Sequence, residues 1–208
     1  GPIIAASYTR ALAHGVKLAA IFETIGSVRA SAVTAPLVTM VSYAIVLRHG
    51  PAAYVREAAA AGVDGLIVPD LPIEEAGELA RLIRDHDLRL IQLVTPATPR
   101  ERAAKIAVAT SGFLYYVSVA GTTGERKAFP PDLDANVAWL RTQTDVPICI
   151  GFGISRPEHI QQLAPVADGL IVGSAIVRRV AEHADCPRDE LLRDIGDFVA
   201  ELAGALPR

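Results

Sequence analysis

Two short glycine-bearing sequences carry the residue types that bind a phosphate group. ICIGFGIS occupies residues 148–155 and LIVGSAI occupies residues 170–176, and in each an apolar run typical of a buried strand ends in glycine before a helix. The N-terminus of a helix offers unpaired N–H groups and partial positive charge, and glycine lets an anion approach the backbone. Ordinary turn geometry and helix capping use the same residue types. Because this pattern of strand, glycine and helix occurs on consecutive strands, we predict that Gly153, Gly173 and Ser174 bind phosphate.

Two further side chains lie where a pocket is expected. Phe152 stands between two glycines at the end of a strand, which favours pocket lining over simple core packing. Asp70 also ends a strand, but Pro72 and Glu74 follow as a helix start, so loop hydrogen bonding or helix capping is favoured over catalysis. SRPE at residues 155–158 predicts a capping box. The five histidines lie in polar surroundings without the spacing of metal ligands, so we predict surface positions for them and no metal site.

The elements that position these residues alternate between strand and helix. Two amphipathic helices come first, and after them each apolar run is followed by a helical pattern. The apolar runs are continuous, as in parallel strands buried on both faces. We therefore predict an α/β protein of the (β/α)₈ TIM-barrel class, with about six of the eight strands in this chain. The predicted strands are residues 37–41, 66–68, 90–94, 113–119, 148–150 and 170–172.

The order of elements also predicts how the chain is divided into domains. Two helices precede any strand, whereas each helix of a β/α barrel normally follows one. We therefore expect residues 1–208 to form a single domain that lacks its first one or two βα units. DGLIV occurs at both 64–68 and 168–172, four strands apart, as duplication of a half-barrel would place it. Asp-Gly before an apolar strand is also common, so the repeat leaves both explanations open.

Composition excludes several classes of function. The chain has 208 residues and a formal net charge of −3, and its Lys and Arg residues are scattered. The sequence therefore has no cluster of basic residues of the kind that binds nucleic acid. Two cysteines are too few for a disulfide framework, which favours a reducing cytoplasm. No apolar run has the length of a membrane span. An anionic ligand is therefore expected to be held locally by backbone dipoles.

Four sequence motifs in the same order carry a resemblance to a known family. They are GVDGLIVPDLPIEE at 62–75, YYVSVAGTTG at 115–124, GFGIS at 151–155 and GSAIV at 173–177. Together they resemble the strand-four signature, the loop-six entry and the phosphate site of the tryptophan synthase alpha subunit. The motifs extend over most of the chain, and their combined spacing is far more specific than any one of them.

The resemblance implies a lyase of tryptophan biosynthesis. It would cleave indole-3-glycerol phosphate to indole and glyceraldehyde 3-phosphate by a retro-aldol reaction. The reaction needs a proton donor at the indole carbon, a base for the ring N–H and an acceptor for the glycerol hydroxyl proton. In the family a glutamate and an aspartate do this work, and the alignment places both before Gly1. We therefore expect this chain alone to bind glycerol phosphate weakly and to lack measurable lyase activity.

The family's other site residues can be carried over one by one. One departure is visible, because Ser42 stands where many members have tyrosine, although Tyr43 is adjacent. The resemblance assigns phosphate binding to Gly124, Gly153, Gly173 and Ser174, lining of the indole pocket to Phe152, Leu93, Met40 and Ile171, an auxiliary catalytic position beside the glycerol moiety to Tyr115, and loop closure to Thr123.

The resemblance also implies a partner, and two alternatives to the proposed lyase stay open. The partner is a tryptophan synthase beta subunit in an α₂β₂ heterotetramer, and pyridoxal phosphate is expected in that subunit, with no cofactor in this chain. One alternative is another phosphate-binding TIM-barrel enzyme, such as a sugar-phosphate epimerase or a thiamine-phosphate synthase, although YVSVAGTTG distinguishes this chain from them. The other is a non-catalytic binding fragment, because the main carboxylates are absent from the chain.

Overall fold

The computed structural model describes residues 1–118 and 129–207. By their contacts the described residues divide into two compact units. The N-proximal unit comprises residues 15–94 and 99–114. The C-proximal unit comprises residues 1–14 and 95–98 and the described residues from 115 onward.

The N-proximal unit begins with a helix, after which short strands are followed by one or two helices. A short 3₁₀ turn, Ile73–Glu75, precedes the helix that follows its second strand. The predicted strand at 90–94 is present but is interrupted at Gln92, which separates two short strands. The elements are α2 (Leu18–Ala30), β1 (Val38–Met40), α3 (Tyr43–His49), α4 (Pro51–Ala60), β2 (Gly65–Ile67), α5 (Ala76–Asp85), β3 (Arg89–Ile91), β4 (Leu93–Val94) and α6 (Arg100–Ala109), while α1 (Pro2–Ala13) belongs to the C-proximal unit.

The first three strands of this unit form a parallel sheet in the order β1-β2-β3. Thr39 pairs with Leu66, and Leu66 pairs with Leu90. Every residue of β2 is buried, as a continuous apolar run predicts for a central parallel strand. The helices cover the sheet through apolar residues spaced along one face. The buried cluster includes Phe22, Val46, Tyr54, Val55, Ala58, Leu66, Leu79, Ile83 and Leu90.

The C-proximal unit contains the remaining elements. Its longest helix is the last one, which covers 17 residues and buries Phe198 and Leu202. The elements are α1 (Pro2–Ala13), β5 (Leu114–Val117), α7 (Leu133–Leu140), β6 (Ile148–Gly151), α8 (Pro157–Leu163), β7 (Gly169–Ile171), α9 (Ser174–Glu182) and α10 (Arg188–Gly204).

The sheet of the C-proximal unit places β6 between β5 and β7. β6 and β7 are parallel, with Cys149 opposite Gly169 and Gly151 opposite Ile171. Because side chains alternate along a strand, Cys149 and Gly151 share one face. Ile148 and Ile150 point to the other face and are fully buried. The two faces therefore differ in side-chain size, and the smaller residues of β6 lie on the face of Cys149 and Gly151.

The repeated DGLIV sequences are anchored by the same set of hydrogen bonds. In the N-proximal unit the carboxylate of Asp64 accepts a hydrogen bond from Leu37 N–H at 2.7 Å, and Asp64 N–H donates to Leu37 O at 2.8 Å. Arg29, near the end of α2, pairs with Asp64 and donates to Gly62 O at 2.7 Å. We call this group of bonds the first aspartate anchor.

The second aspartate anchor repeats this arrangement in the C-proximal unit. Asp168 accepts from Ile148 N–H at 2.8 Å, and its own N–H donates to Ile148 O at 3.0 Å. Arg141, which follows α7, pairs with Asp168 at 2.8 Å and donates to Val166 O at 3.1 Å. In each anchor an arginine bonds the aspartate and the carbonyl two residues before it. The sequence repeat is therefore matched by a repeat of contacts.

The predicted capping box at residues 155–158 is wrong. Helix α8 has Arg156 as its N-cap and no side-chain cap. Ser155 instead donates its N–H to Nδ1 of His159 at 3.3 Å. His159 is 6 % exposed and its ring meets Phe129 edge to face, so the predicted surface position is also wrong for this histidine.

Across the described residues, no single helix combines the length and hydropathy needed to cross a membrane. Helices α1 and α2 have the required length and hydropathy only when the two are counted together, across the break between them.

Candidate active site

The two predicted phosphate-binding turns follow neighbouring strands. Gly151 pairs with Ile171, so Gly153 and Gly173 each lie two residues beyond a paired strand end. Because β6 and β7 are parallel, both turns leave the same edge of the sheet. In α/β proteins this carboxyl edge is where ligands bind.

The backbone at both turns is open to a ligand. A Cβ atom placed on Gly153 or Gly173 would meet no heavy atom within 4 Å, and both residues are exposed. Gly153 has a φ of +78°, which glycine adopts without strain. Gly173 is the N-cap of α9, and its carbonyl accepts from Ile176 N–H at 3.0 Å, which leaves the N–H groups of Ser174 and Ala175 without an acceptor within the helix. An anion can therefore approach donors on both turns.

Helix α9 is held against α10 by contacts of Arg179. One nitrogen of Arg179 donates to both carboxylate oxygens of Asp194, at 2.9 and 3.0 Å. The same guanidinium lies 4.1 Å from the centre of the Phe198 ring, a cation–π distance. The contact sets the position of α9, and with it the direction in which its N-terminus points.

Tyr115 lies against the end of β6. Its ring occupies the space where a side chain at position 151 would be, because a Cβ on Gly151 would lie 2.6 Å from Tyr115 Oη and 2.9 Å from Ile171 Cβ. Tyr115 and Ile171 therefore meet over Gly151 on one face of the sheet. Burial raises the pKa of Tyr115, so the phenol stays protonated near neutral pH and is available as a hydrogen-bond donor.

The predicted indole-lining residues are divided between the two units. Phe152 and Ile171 are half-buried at the ends of β6 and β7. Met40 ends β1 in the N-proximal unit and is 52 % exposed, and Leu93 begins β4 and is half-buried. Thr123 and Gly124, predicted for loop closure and phosphate binding, lie outside the described residues.

Asp70 is engaged in the hydrogen bonding that its position predicts. One carboxylate oxygen accepts from Ser42 Oγ at 2.7 Å and the other from Tyr43 N–H at 2.7 Å, at the start of α3. Burial raises the pKa of Asp70, but the hydrogen bonds from Ser42, Tyr43 N–H and its own N–H outweigh that effect and lower it overall. The carboxylate is therefore ionised at neutral pH, which suits a positioning role and not that of a proton donor.

We expect Asp70→Ala to lower the free energy of unfolding by about 1 kcal/mol, since two hydrogen bonds to an exposed carboxylate are lost. Asp70→Asn should lose less, because its amide oxygen still accepts from Tyr43 N–H. Urea unfolding at pH 7 measures both. Ser42→Ala is the matched control and should cost less than Asp70→Ala, because it leaves the Tyr43 bond in place. Equal stability of Asp70→Ala and the parent chain would contradict this role.

The sequence contained no signal for two residues of this region. Ser118 is fully buried and contacts the turn that carries Phe152. Gly151 is required by the ring above it, whereas its sequence context indicated only a strand end. Both depend on contacts between strands that are distant in the chain.

Comparisons with known proteins identify relatives over the whole chain. The family model of the tryptophan synthase alpha chain matches residues 1–203. The alpha chain of Rhodopirellula baltica is 52% identical over 216 residues, which cover 99% of this chain and 77% of the relative. That of Chloroflexus aurantiacus is 40% identical over 208 residues, which cover 100% of this chain and 77% of the relative.

Solved structures with a similar fold belong to proteins of the same name. The tryptophan synthase of Mycobacterium tuberculosis is 33% identical with a TM-score of 0.87, over 99% of this chain and 75% of that one. A structure of the α₂β₂ complex of Pyrococcus furiosus is 34% identical with a TM-score of 0.88, over 98% of this chain and 81% of that one. These similarities confirm the predicted α/β TIM-barrel fold class. With the family-model match, they show that the chain belongs to the tryptophan synthase alpha chain family.

Proposed function

We propose that this chain belongs to the lyase subunit of a tryptophan synthase, which cleaves indole-3-glycerol phosphate to indole and glyceraldehyde 3-phosphate. The observation that carries the proposal is the pair of open glycine turns after β6 and β7, in a chain of the alpha family. The family match favours this reaction over the other phosphate-binding barrels considered from the sequence.

The phosphate is held by backbone donors in this proposal. Gly153, Gly173 and Ser174 present N–H groups at one edge of the sheet, and the N-terminus of α9 adds partial positive charge. Gly124 joins them by resemblance alone. Because the net charge of the chain is −3, this local arrangement and not the overall charge attracts the anion.

The rest of the substrate lies on the apolar residues at the strand ends. Phe152 and Ile171 line the indole, and Tyr115 donates a hydrogen bond to the glycerol moiety. Met40 and Leu93 are assigned to the indole by resemblance alone. In the reaction the indole carbon gains a proton, its bond to the glycerol carbon breaks, and the adjacent hydroxyl loses a proton as the carbonyl forms. We assign Asp70 no part in these transfers, since its carboxylate holds Ser42 and Tyr43 at the start of α3.

The partner in this proposal is a tryptophan synthase beta subunit, and the working assembly is α₂β₂. Support comes from the Pyrococcus furiosus relative, which is described as a mutually activated complex of that composition. We place pyridoxal phosphate in the beta subunit and no cofactor in this chain. Two free cysteines and no described disulfide fit a cytoplasmic location.

The test is release of indole from indole-3-glycerol phosphate, measured on this chain and on the full-length product of its gene, each with and without beta subunit. We expect indole and glyceraldehyde 3-phosphate in equal amounts from the full-length product. Calorimetric titration with glycerol 3-phosphate tests binding by this chain separately. No indole release from the full-length product would contradict the proposed reaction.

Gly173→Val should weaken glycerol 3-phosphate binding about tenfold or more, because a branched side chain at the N-cap of α9 blocks the anion's approach. Gly196→Ala is the control, since a Cβ at that position in α10 also meets nothing within 4 Å. It should leave the affinity unchanged. Equal affinity of Gly173→Val and the parent chain would remove α9 from the phosphate site.

A further inference from the structure

The backbone of Phe152 adopts a conformation that side chains rarely take. Its φ is +104°, between the end of β6 and Gly153. Non-glycine residues with positive φ are uncommon and, for a bulky side chain, strained. Such strain persists only where surrounding contacts impose it, and it concentrates at functional sites.

Ser118 makes the contacts that impose this conformation. It is fully buried at the end of β5, and its N–H donates to Gly151 O at 3.1 Å. Its hydroxyl oxygen lies 3.2 Å from Gly151 O and 3.2 Å from Phe152 O. The single hydroxyl proton is therefore shared between two carbonyl acceptors.

The two carbonyls belong to the peptide groups on either side of Phe152. The orientations of these peptide planes define φ and ψ of that residue. A buried donor that holds both carbonyls therefore fixes the backbone of Phe152. The same contact sets where the Phe152 ring points and where the N–H of Gly153 is presented.

We propose that Ser118 is a positioning residue that holds Phe152 in its strained conformation and so preorganises the turn for a phosphorylated ligand. The inference rests on the proposed function, because it assigns Ser118 to the phosphate and indole site. Ser118 itself lies beneath the turn and touches no ligand in this proposal.

The first test is Ser118→Ala, titrated with glycerol 3-phosphate. We expect about tenfold weaker binding, because the freed turn relaxes away from the conformation that presents Gly153 N–H. Ser111→Ala is the matched control, since Ser111 in the N-proximal unit also bonds backbone, accepting from Leu90 N–H at 2.8 Å. It should change the affinity less than twofold. Unchanged affinity in Ser118→Ala would overturn the proposal.

The second test separates positioning from general support of the fold. Phe152→Gly removes the conformational strain, since glycine adopts positive φ freely. In the Phe152→Gly background, Ser118→Ala should change glycerol 3-phosphate affinity less than twofold. A tenfold loss in both backgrounds would show that Ser118 acts through packing and not through Phe152. If Ser118→Ala does not fold, Ser118→Cys takes its place, because a thiol is a weak donor of similar size.

The third test does not depend on a ligand. The three-bond coupling between the amide and Hα protons of Phe152 reports its φ, and NMR on the unliganded chain should show it shifted in Ser118→Ala and unchanged in Ser111→Ala. If the parent chain binds no glycerol 3-phosphate while this coupling shifts in Ser118→Ala, the proposed function fails and the backbone restraint stands. An unchanged coupling at Phe152 would overturn the restraint itself.

Discussion

Alanine at position 151 is expected to lower the free energy of unfolding by about 1–3 kcal/mol, the range for overpacking a filled site. Its Cβ would lie 2.6 Å from both Cε2 and Oη of Tyr115 and 2.9 Å from Cβ of Ile171, closer than real Cβ atoms come to other heavy atoms. Tyr115 is buried, so its ring cannot swing into solvent without losing its packing. Either the ring or β6 has to move, and urea unfolding measures the cost.

A control and a double-mutant cycle identify the cause of that loss. A Cβ on Gly77, in α5, would meet nothing within 4 Å, so Gly77→Ala should stabilise the chain by up to about 1 kcal/mol through helix propensity. In a Tyr115→Ala background the cost of Gly151→Ala should fall markedly, because the ring is gone. The same cost in both backgrounds would show that the ring is not responsible.

Asp168→Ala is expected to lower the free energy of unfolding by about 2 kcal/mol. The substitution leaves the part-buried N–H of Ile148 without its acceptor and removes the partner of Arg141. Asp168→Asn should lose less, because the amide oxygen still accepts from Ile148 N–H. Asp64→Ala provides a matched comparison and should cost a similar amount, since Asp64 makes the equivalent bond to Leu37 N–H. A cost near zero for both alanine variants would contradict the importance of the anchors.

The second anchor also predicts a dependence of stability on pH. Burial raises the pKa of Asp168, but the hydrogen bonds from Arg141 and Ile148 N–H and the charge of Arg141 outweigh it, so the pKa lies below its ordinary value of 3.8. The ionised form is therefore favoured in the folded state. Its contribution is present above the ordinary value and is lost as pH falls through the folded-state pKa. Solvent screening keeps this contribution small, since the side chain is 36% exposed.

Urea unfolding between pH 7 and pH 2.5 checks this dependence. The parent chain should lose more stability on acidification than Asp168→Asn, which carries no titrating carboxyl at that position. Glu201→Gln, at an exposed position in α10, is the control and should behave like the parent chain. Parallel curves for the parent chain and Asp168→Asn would contradict the prediction.

The strands and their order followed from sequence because their signals are local. A continuous apolar run that ends in glycine indicates a buried parallel strand wherever it lies, and strands occur at all six predicted positions. The turns at Gly153 and Gly173 were predictable for the same reason. The DGLIV repeat indicated related surroundings, and the equivalent bonds of Asp64 and Asp168 extend that likeness to the atomic level.

Contacts between distant segments were not predictable in the same way. The sequence SRPE has the spacing of a capping box, yet Ser155 N–H bonds His159, which is buried against Phe129. Nothing in the local pattern shows that an aromatic ring more than twenty residues away shields that histidine. Ser118 is similar, since a serine at a strand end is ordinary until its two carbonyl partners are known.

The aspartate anchors and the open glycine turns lie at opposite ends of the strands. Asp64 and Asp168 stand directly before β2 and β7, at their amino ends, whereas the open glycines follow the carboxyl ends of β6 and β7. Bonds that contribute to stability and turns that bind the ligand are thus placed at opposite ends of the strands. A designer could therefore thermostabilise this chain through the surroundings of Arg29 and Arg141 while leaving its ligand preference untouched, or retune that preference without weakening the scaffold.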